Sequence, residues 1–150
     1  FTCAAAKAAA GTTTTVDRSE TYLDWAKDNL ILNGLWGPQH QLVRSDTMKF
    51  LAQAAEQKRF FNLAFVDPPS FFKDEKDGIS FDVNRDHPAL LRAVLRVMKA
   101  GNEVFFSTNH QRFEPHFEGI AIHAVTELTP DSIPEDYRNR KIHRCWRIVR

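Results

Sequence analysis

The chain is poor in cysteine: 150 residues hold only Cys3 and Cys145. Two thiols so far apart make neither a disulfide framework nor the paired spacing of a thiolate metal site, so no metal is expected and a reducing cytoplasm is the expected compartment. None of the six glycines falls in a Gly-x-Gly-x-x-Gly pattern, which removes the ordinary dinucleotide fingerprint. The formal charge is only +1, so there is no global electrostatic case for a polyanionic partner. No apolar run approaches the roughly 20 residues of a membrane span, and no secretory leader is visible, so no membrane partner is expected. The chain opens on Phe1 rather than methionine and is expected to be a fragment or a trimmed domain. What is present is ordinary globular composition, and 150 residues are expected to fold as one domain, 1–150, with a real core.

The most telling stretch is Ala64-Phe65-Val66-Asp67-Pro68-Pro69-Ser70-Phe71. The run Phe61–Val66 is short and apolar and predicts a buried strand. Pro68 and Pro69 cannot donate to a ladder and fix φ, so the strand stops there. A stiff loop then leaves the carboxyl end of a strand, where open α/β sheets bind ligands. Asp67 is held at that mouth with Phe71 beside it, an arrangement suited to a flat ring.

Elsewhere the pattern alternates. Residues 4–10 are small and helix-friendly, and 12–16 are β-branched and predict a strand ending in Asp17. Ser19 caps a helix with apolar positions Leu23, Ala26 and Leu30, closed by Asn33-Gly34. A short strand at 41–44 leads to Asp46, which can cap a helix carrying Phe50, Leu51, Ala54 and Ala55. Residues 73–84 are polar, hold Gly78 and predict a mobile loop. Pro88 suits the first turn of a helix whose stripe is Leu90, Leu91, Val94, Leu95 and Met98, ended by Ala100-Gly101. A strand is expected at 103–107, a short helix at 111–118, and an antiparallel hairpin from 121–128 and 142–149, joined by the proline-bearing 129–139.

Strands alternating with helices, then two strands with no helix between them, predict an α/β fold: a mostly parallel, doubly wound sheet with an antiparallel edge hairpin. That is the shape of Rossmann-like S-adenosylmethionine-dependent methyltransferases. Its first strand is expected to be missing, because residues 1–4 read as the loop that follows it. Asp17, Asp46 and Asp67 each follow a predicted strand, and right-handed crossovers bring such ends to one rim. An acid at Asp17 suits a ribose diol, one at Asp46 an adenine amino group, and Asp67 lies nearest the chemistry. Each acid has a plainer alternative, since Asp17 and Asp46 can serve simply as helix caps.

The residues resemble a known family. Val16-Asp17-Arg18-Ser19, Tyr22-Leu23-Asp24-Trp25-Ala26, Asn33-Gly34, the Asp67–Phe71 loop, Phe81-Asp82-Val83 with Arg85-Asp86-His87, Phe106-Ser107 and Ile142-His143-Arg144-Cys145-Trp146 are similar to the bifunctional large-subunit ribosomal RNA guanine methyltransferases, in their C-terminal half that methylates guanine N7. The resemblance spans nearly the whole chain and implies further domains upstream. It implies that Thr2 and Cys3 belong to the first cofactor loop, that Asp17 holds the ribose of S-adenosylmethionine, that Arg18 belongs to the cofactor site, that Asp46 contacts adenine, and that Asp67 lines the methyl-donor site while Pro68 to Phe71 frame the base. The family's first loop runs about four residues longer between Ala4 and Ala5, judged against Val16-Asp17; either it is deleted here or a disordered segment is absent from this sequence, the second being the expectation.

Among methylation chemistries, cytosine C5 needs a cysteine nucleophile. The corresponding place reads Phe106-Ser107-Thr108-Asn109, and Cys145 is expected in the core. Guanine N7 carries a lone pair and loses no proton, so alignment suffices. Asp67 and Asn109 can hold the base edge and Phe71 can stack on it. Arg138, Arg140, Lys141, Arg144, Arg147 and Arg150 form the one strong basic cluster, and the first four are candidates for RNA phosphates; a solvated sheet edge is the plainer alternative. Two other functions fit the same residues: a non-catalytic RNA-binding module on this fold, and an exocyclic-amine (guanine-N2) methyltransferase, although the aromatic stands one residue later than the amine pattern has it.

Overall fold

The computed structural model describes residues 1–75, 78–139 and 142–150. The chain groups into two compact units, Phe1–Gln53 and Ala54–Arg150.

The first unit holds α1 (Thr2–Lys7), β1 (Thr13–Asp17), α2 (Glu20–Leu32), β2 (His40–Arg44) and the start of α3 (Thr47–Glu56). Three threonines and a valine make β1, whose branched side chains suit extended backbone. It pairs in parallel with β2, from Thr13 opposite His40 to Asp17 opposite Arg44. Ser19 caps α2, its Oγ accepting from the Tyr22 N–H at 3.3 Å, and Leu23 and Leu30 are its buried stripe. The helix stops because Gly34 takes φ +67°, where a Cβ is disfavoured. The Gly34 N–H then reaches the Ile31 carbonyl at 2.9 Å and the Leu35 N–H the Leu30 carbonyl at 2.8 Å, a Schellman closure. The start of the chain departs from expectation: Thr2 is already helical, and residues 2–7 form one helix where a loop is expected. Alanine is the best helix former, and it carries α1 through the region expected to be a loop.

The second unit holds β3 (Phe61–Val66), β4 (Phe71–Asp74), β5 (Ile79–Asp82), α4 (Val83–Arg96), β6 (Met98–Thr108), β7 (Ala124–Glu127), α5 (Thr129–Ser132) and β8 (Arg144–Val149). Its main sheet has the order β3-β6-β8-β7. β3 and β6 are parallel, and β8 and β7 follow antiparallel, as the expected edge hairpin requires. The predicted sheet is thus present as a parallel pair in one unit and a mixed four-stranded sheet in the other. Alternation along β6 and β8 buries Val104, Phe106, Trp146 and Ile148, and α4 buries Val83, His87, Leu90, Leu91, Val94 and Leu95.

Five local expectations change. The loop at 73–84 is largely the β4–β5 hairpin: Phe72 faces Phe81 and Lys73 faces Ser80, with Gly78 at φ +64° in the turn. α4 begins at Val83 rather than at Pro88, because Asp82 caps it, accepting from the N–H groups of Asn84 at 2.9 Å and Arg85 at 3.3 Å. Asp86 accepts from the Asp82 N–H at 2.8 Å, a reciprocal closure close to a capping box. α4 ends at Arg96, and Gly101, at φ +81°, lies inside β6 where the register to β3 shifts. No helix forms at 111–118. Finally, β3 is less buried than predicted, with Leu63 47% and Phe65 45% exposed. It is an edge strand, and its period of two turns these side chains away from the α4-covered face.

His87 closes the irregular segment onto α4. Its Nε2 accepts from the His116 N–H at 2.9 Å, so Nδ1 carries the proton and donates to the Val83 carbonyl at 2.7 Å. The ring is fully buried, edge-on to Phe113 and stacked on His116. Burial, with the neighbouring His116, holds its pKa below the usual 6.5. The unfolded chain therefore takes up this proton first as pH falls, and the His87 contribution, complete above about pH 6.5, is lost progressively below it. We expect the melting temperature to fall from pH 7 to pH 5 and His87→Gln to flatten that slope. Parallel slopes in the two proteins would refute the assignment.

Candidate functional site

β3 and β6 are adjacent and parallel, with Val66 opposite Phe106, so their carboxyl ends form one rim. Two side-chain ties cross it. Ser107 Oγ donates to Asp67 Oδ1 at 2.8 Å, and Ser70 Oγ donates to Asn109 Oδ1 at 2.7 Å. The Ser70 carbonyl also accepts the Val83 N–H at 3.1 Å, anchoring the Pro68-Pro69 loop to the first residue of α4. Asp67, Pro68, Phe71 and Asn109 are thus gathered in one unit. Phe71 opens β4 with its ring 61% exposed, free to meet a planar group. Sequence reasoning gave Ser70 and Ser107 no orienting role; the signal was the strand-end pairing that sets each across from its partner.

Cys145 lies opposite Ser107 in β8 and is half-buried rather than a core residue, because the Ser107 side of the sheet is less covered than the Phe106 side. Burial, then the Asp67 charge, pushes its thiol pKa up. A protonated thiol is a poor nucleophile.

In the first unit the Ser45 N–H donates to the Asp17 carbonyl at 3.0 Å, joining the carboxyl ends of β1 and β2. Asp17 Oδ1 accepts from the Ser19 N–H at 2.7 Å; since Ser19 caps α2, Asp17 is no helix cap. Asp46 is one, accepting from the Lys49 N–H at 3.0 Å, and its other oxygen faces Arg18 Nη1 at 3.7 Å. Thr2 Oγ1 bonds Thr15 Oγ1 at 2.6 Å, which brings α1 to the strand that carries Asp17. Cys3 is a half-buried thiol on α1. Thr2 and Cys3 therefore sit on a helix and not in the predicted loop.

The basic cluster divides. Arg138 is exposed, and Arg140 and Lys141 lie outside the described residues. Arg144, expected at RNA phosphates, is held within the sheet: its Nε and Nη2 donate to Glu127 at 2.9 Å each, its Nη1 to the Phe113 carbonyl at 3.0 Å, and its plane covers Trp146. Arg147 pairs with Glu103 across the sheet. Hydrogen bonds from these arginines hold Glu127 and Glu103 below the usual carboxylate range. Cross-strand charge pairing thus takes up two cations that the sequence leaves ambiguous.

No family model matches the chain. It is 43% identical over 145 residues to a ribosomal RNA large subunit methyltransferase K/L from Allochromatium vinosum, a match that takes in 96% of this chain but spans only about a fifth (20%) of that protein. Among solved structures, a protein described as a methyltransferase and crystallised with S-adenosylhomocysteine superposes with a TM-score of 0.81 at 22% identity, over the whole of this chain and 42% of its own. A methyltransferase from Agrobacterium tumefaciens described as S-adenosylmethionine-dependent gives 0.71 at 20% identity, over 97% of this chain and 50% of its own. The fold is therefore Rossmann-like α/β of the methyltransferase type, with a mixed sheet.

Proposed function

We propose that this chain is the methyl-transferring domain of a longer cytoplasmic enzyme, with further domains upstream, that uses S-adenosylmethionine to methylate large-subunit ribosomal RNA at guanine N7. The observation that carries the reading is the doubly tied rim, Asp67 to Ser107 and Ser70 to Asn109, which supports positioning chemistry. Likeness to the large-subunit RNA methyltransferase adds the substrate class.

The residues suit the cofactor. One oxygen of Asp17 holds the Ser19 amide, and a carboxylate can accept further bonds from two vicinal hydroxyls, so Asp17 is the ribose ligand. Asp46 and Arg18 lie beside it for the adenine, and Thr2 and Cys3 belong toward the methionine portion. When bound, the cofactor supplies a methyl group on a cationic sulfur. In the second unit Asp67 and Asn109 orient the base edge, and Pro68 and Phe71 bound its plane. Guanine N7 gives up no proton, so no general base is required and alignment supplies the rate. The protonated Cys145 does not serve covalent chemistry. Arg138, with Arg140 and Lys141, is the candidate phosphate contact.

Calorimetry with S-adenosylhomocysteine is the test. We expect binding by the chain and a loss of at least about tenfold in affinity for Asp17→Ala, the scale of losing charged hydrogen bonds. No binding, or an Asp17→Ala protein that binds equally well, overturns the reading. Mass spectrometry of ribosomal RNA from cells lacking the gene then reads the atom: 7-methylguanosine should fall.

A further inference from the structure

We infer that the amino ends of β3 and β6 carry a second RNA-contacting surface, in which Lys58, Arg96 and Lys99 take backbone phosphates and Phe60 stacks on a base. The inference rests on the reading that the partner is RNA, and it concerns the pole of the sheet away from the Asp67 rim. Lys58 and Arg59 lead into β3, and Arg96 and Lys99 flank the start of β6. The two strands start together: the Phe61 N–H donates to the Val97 carbonyl and Asn102 Nδ2 to the Phe61 carbonyl, each at 2.9 Å. Two stretches far apart in the chain thus bring their cations to one strand end. Residues 54–61 and 90–102 hold Lys58, Arg59, Arg92, Arg96 and Lys99 against the single acid Glu56, in a chain of formal charge only +1. Lys58, Arg96 and Lys99 are exposed, and among the described residues no carboxylate pairs with them, in contrast to Arg85, Arg144 and Arg147.

Aromatic rings lie among these cations. Phe60 is 47% exposed with Lys99 Nζ 5.8 Å from its ring centroid, and the Arg59 guanidinium lies 5.1 Å from that of Phe61. A ring has two faces, so Phe60 can take a base on the one that Lys99 leaves open, while the flanking phosphates meet the lysines and Arg96. Lys58 adds an independent observation. It follows α3 at φ +52°, where glycine is the ordinary residue. It closes the helix as a glycine would, its N–H on the Ala55 carbonyl at 3.1 Å and the Arg59 N–H on the Ala54 carbonyl at 2.8 Å. That backbone region strains a residue with a Cβ, so capping alone favours glycine. The position holds a side chain at this cost, and the side chain is a cation. β3 runs six residues from this surface to Asp67, about 20 Å. An RNA lying on both is gripped by its backbone well away from the base that reacts, and such contacts position rather than specify.

A fluorescein-labelled oligouridylate of about 20 nucleotides is the probe, longer than a single-strand site and without a purine for the rim. Titrated with the chain and followed by anisotropy, it should bind, and binding should weaken with salt. Lys58→Gln with Lys99→Gln should flatten the slope of log K against log salt by about 1.4, the loss of two phosphate contacts, and weaken binding about tenfold or more near 0.1 M salt. Phe60→Ala should weaken binding about tenfold with the slope unchanged. Lys58→Gly, which relieves the backbone at φ +52°, should weaken binding as Lys58→Gln does without lowering the melting temperature, which separates the cation from the cap. Four results overturn the inference: no binding by the wild-type chain, a slope untouched by the double substitution, Phe60→Ala binding as wild type does, or poly-L-glutamate bound at least as tightly as the RNA, which would make this a surface for an acidic protein. None of them bears on calorimetry with S-adenosylhomocysteine, so the methyltransferase reading is decided separately. A chain that binds RNA through these residues but does not bind S-adenosylhomocysteine supports the surface and overturns the enzyme reading alone.

Discussion

Asp67→Asn should lower methyl transfer by about 100-fold or more with little change in melting temperature, because misplacing a reactant by about an ångström costs on that order. The amide is nearly isosteric and can still accept from Ser107, so the loop geometry survives. What changes is the edge presented to the base: a carboxylate oxygen that accepts becomes an NH2 that donates. The loss should fall on kcat more than on KM, since backbone contacts elsewhere on an RNA are untouched. An independent readout comes from Cys145, whose thiol pKa Asp67 helps to raise. In Asp67→Asn the thiol should titrate at lower pH when followed with a thiol reagent. Activity within about threefold of wild type would remove Asp67 from the base site, because even one good hydrogen bond to a charged group is worth more. An unmoved Cys145 would show the carboxylate to be farther from β8 than described.

Phe106→Ala should cost roughly 3–5 kcal/mol, against a total stability of about 5–15 kcal/mol for a domain of this kind. Phe106 is fully buried and central to an aromatic cluster, with ring centroids 5.6 Å from Phe113, 5.9 Å from Trp146 and 6.1 Å from His87. Phe113 in turn lies 5.2 Å from Trp146, so the neighbours already support one another and cannot close into the space. Such a cavity loses transfer energy and contacts together. Urea unfolding should show a large drop in midpoint. Phe65→Ala, on the open face of the same sheet at 45% exposure, should cost no more than about 1 kcal/mol. Similar losses at both positions would mean that the two faces of the sheet are not as different as their burial indicates. Phe106 also immediately precedes Ser107, so in Phe106→Ala the Asp67 tie should loosen and activity fall before the chain unfolds.

Much of the fold is legible because local chemistry and the final structure agree. Ser19 caps α2 and Gly34 ends it, each by a requirement of the backbone that few residues meet. The Pro-Pro pair ends β3 on schedule, and the apolar stripe Leu90, Leu91, Val94 and Leu95 is the buried face of α4. The misreadings share one cause. The polarity of 73–84 hides a hairpin because only cross-strand partners reveal it. Pro88 lies well inside α4 because Asp82 and Asp86 provide a better start than the proline does. The family-like stretch Asp82-Val83 with Arg85-Asp86-His87 serves as cap, ion pair and buried buttress, roles that only the folded contacts reveal.

By itself the sequence determined the α/β class, the strand ends that carry Asp17, Asp46 and Asp67, and the stiff loop after Asp67. Those follow from turn chemistry, branched side chains and hydrophobic period, which act over a few residues. Only the tertiary structure decided which polar groups face one another. It committed Arg144 to Glu127 and Trp146, made Asp46 a cap and Asp17 not, and tied Asp67 to Ser107 and Ser70 to Asn109. The Asp67 and Asn109 partners are separated by 40 and 39 positions along the chain, and only the register of two parallel strands brings them within hydrogen-bonding distance.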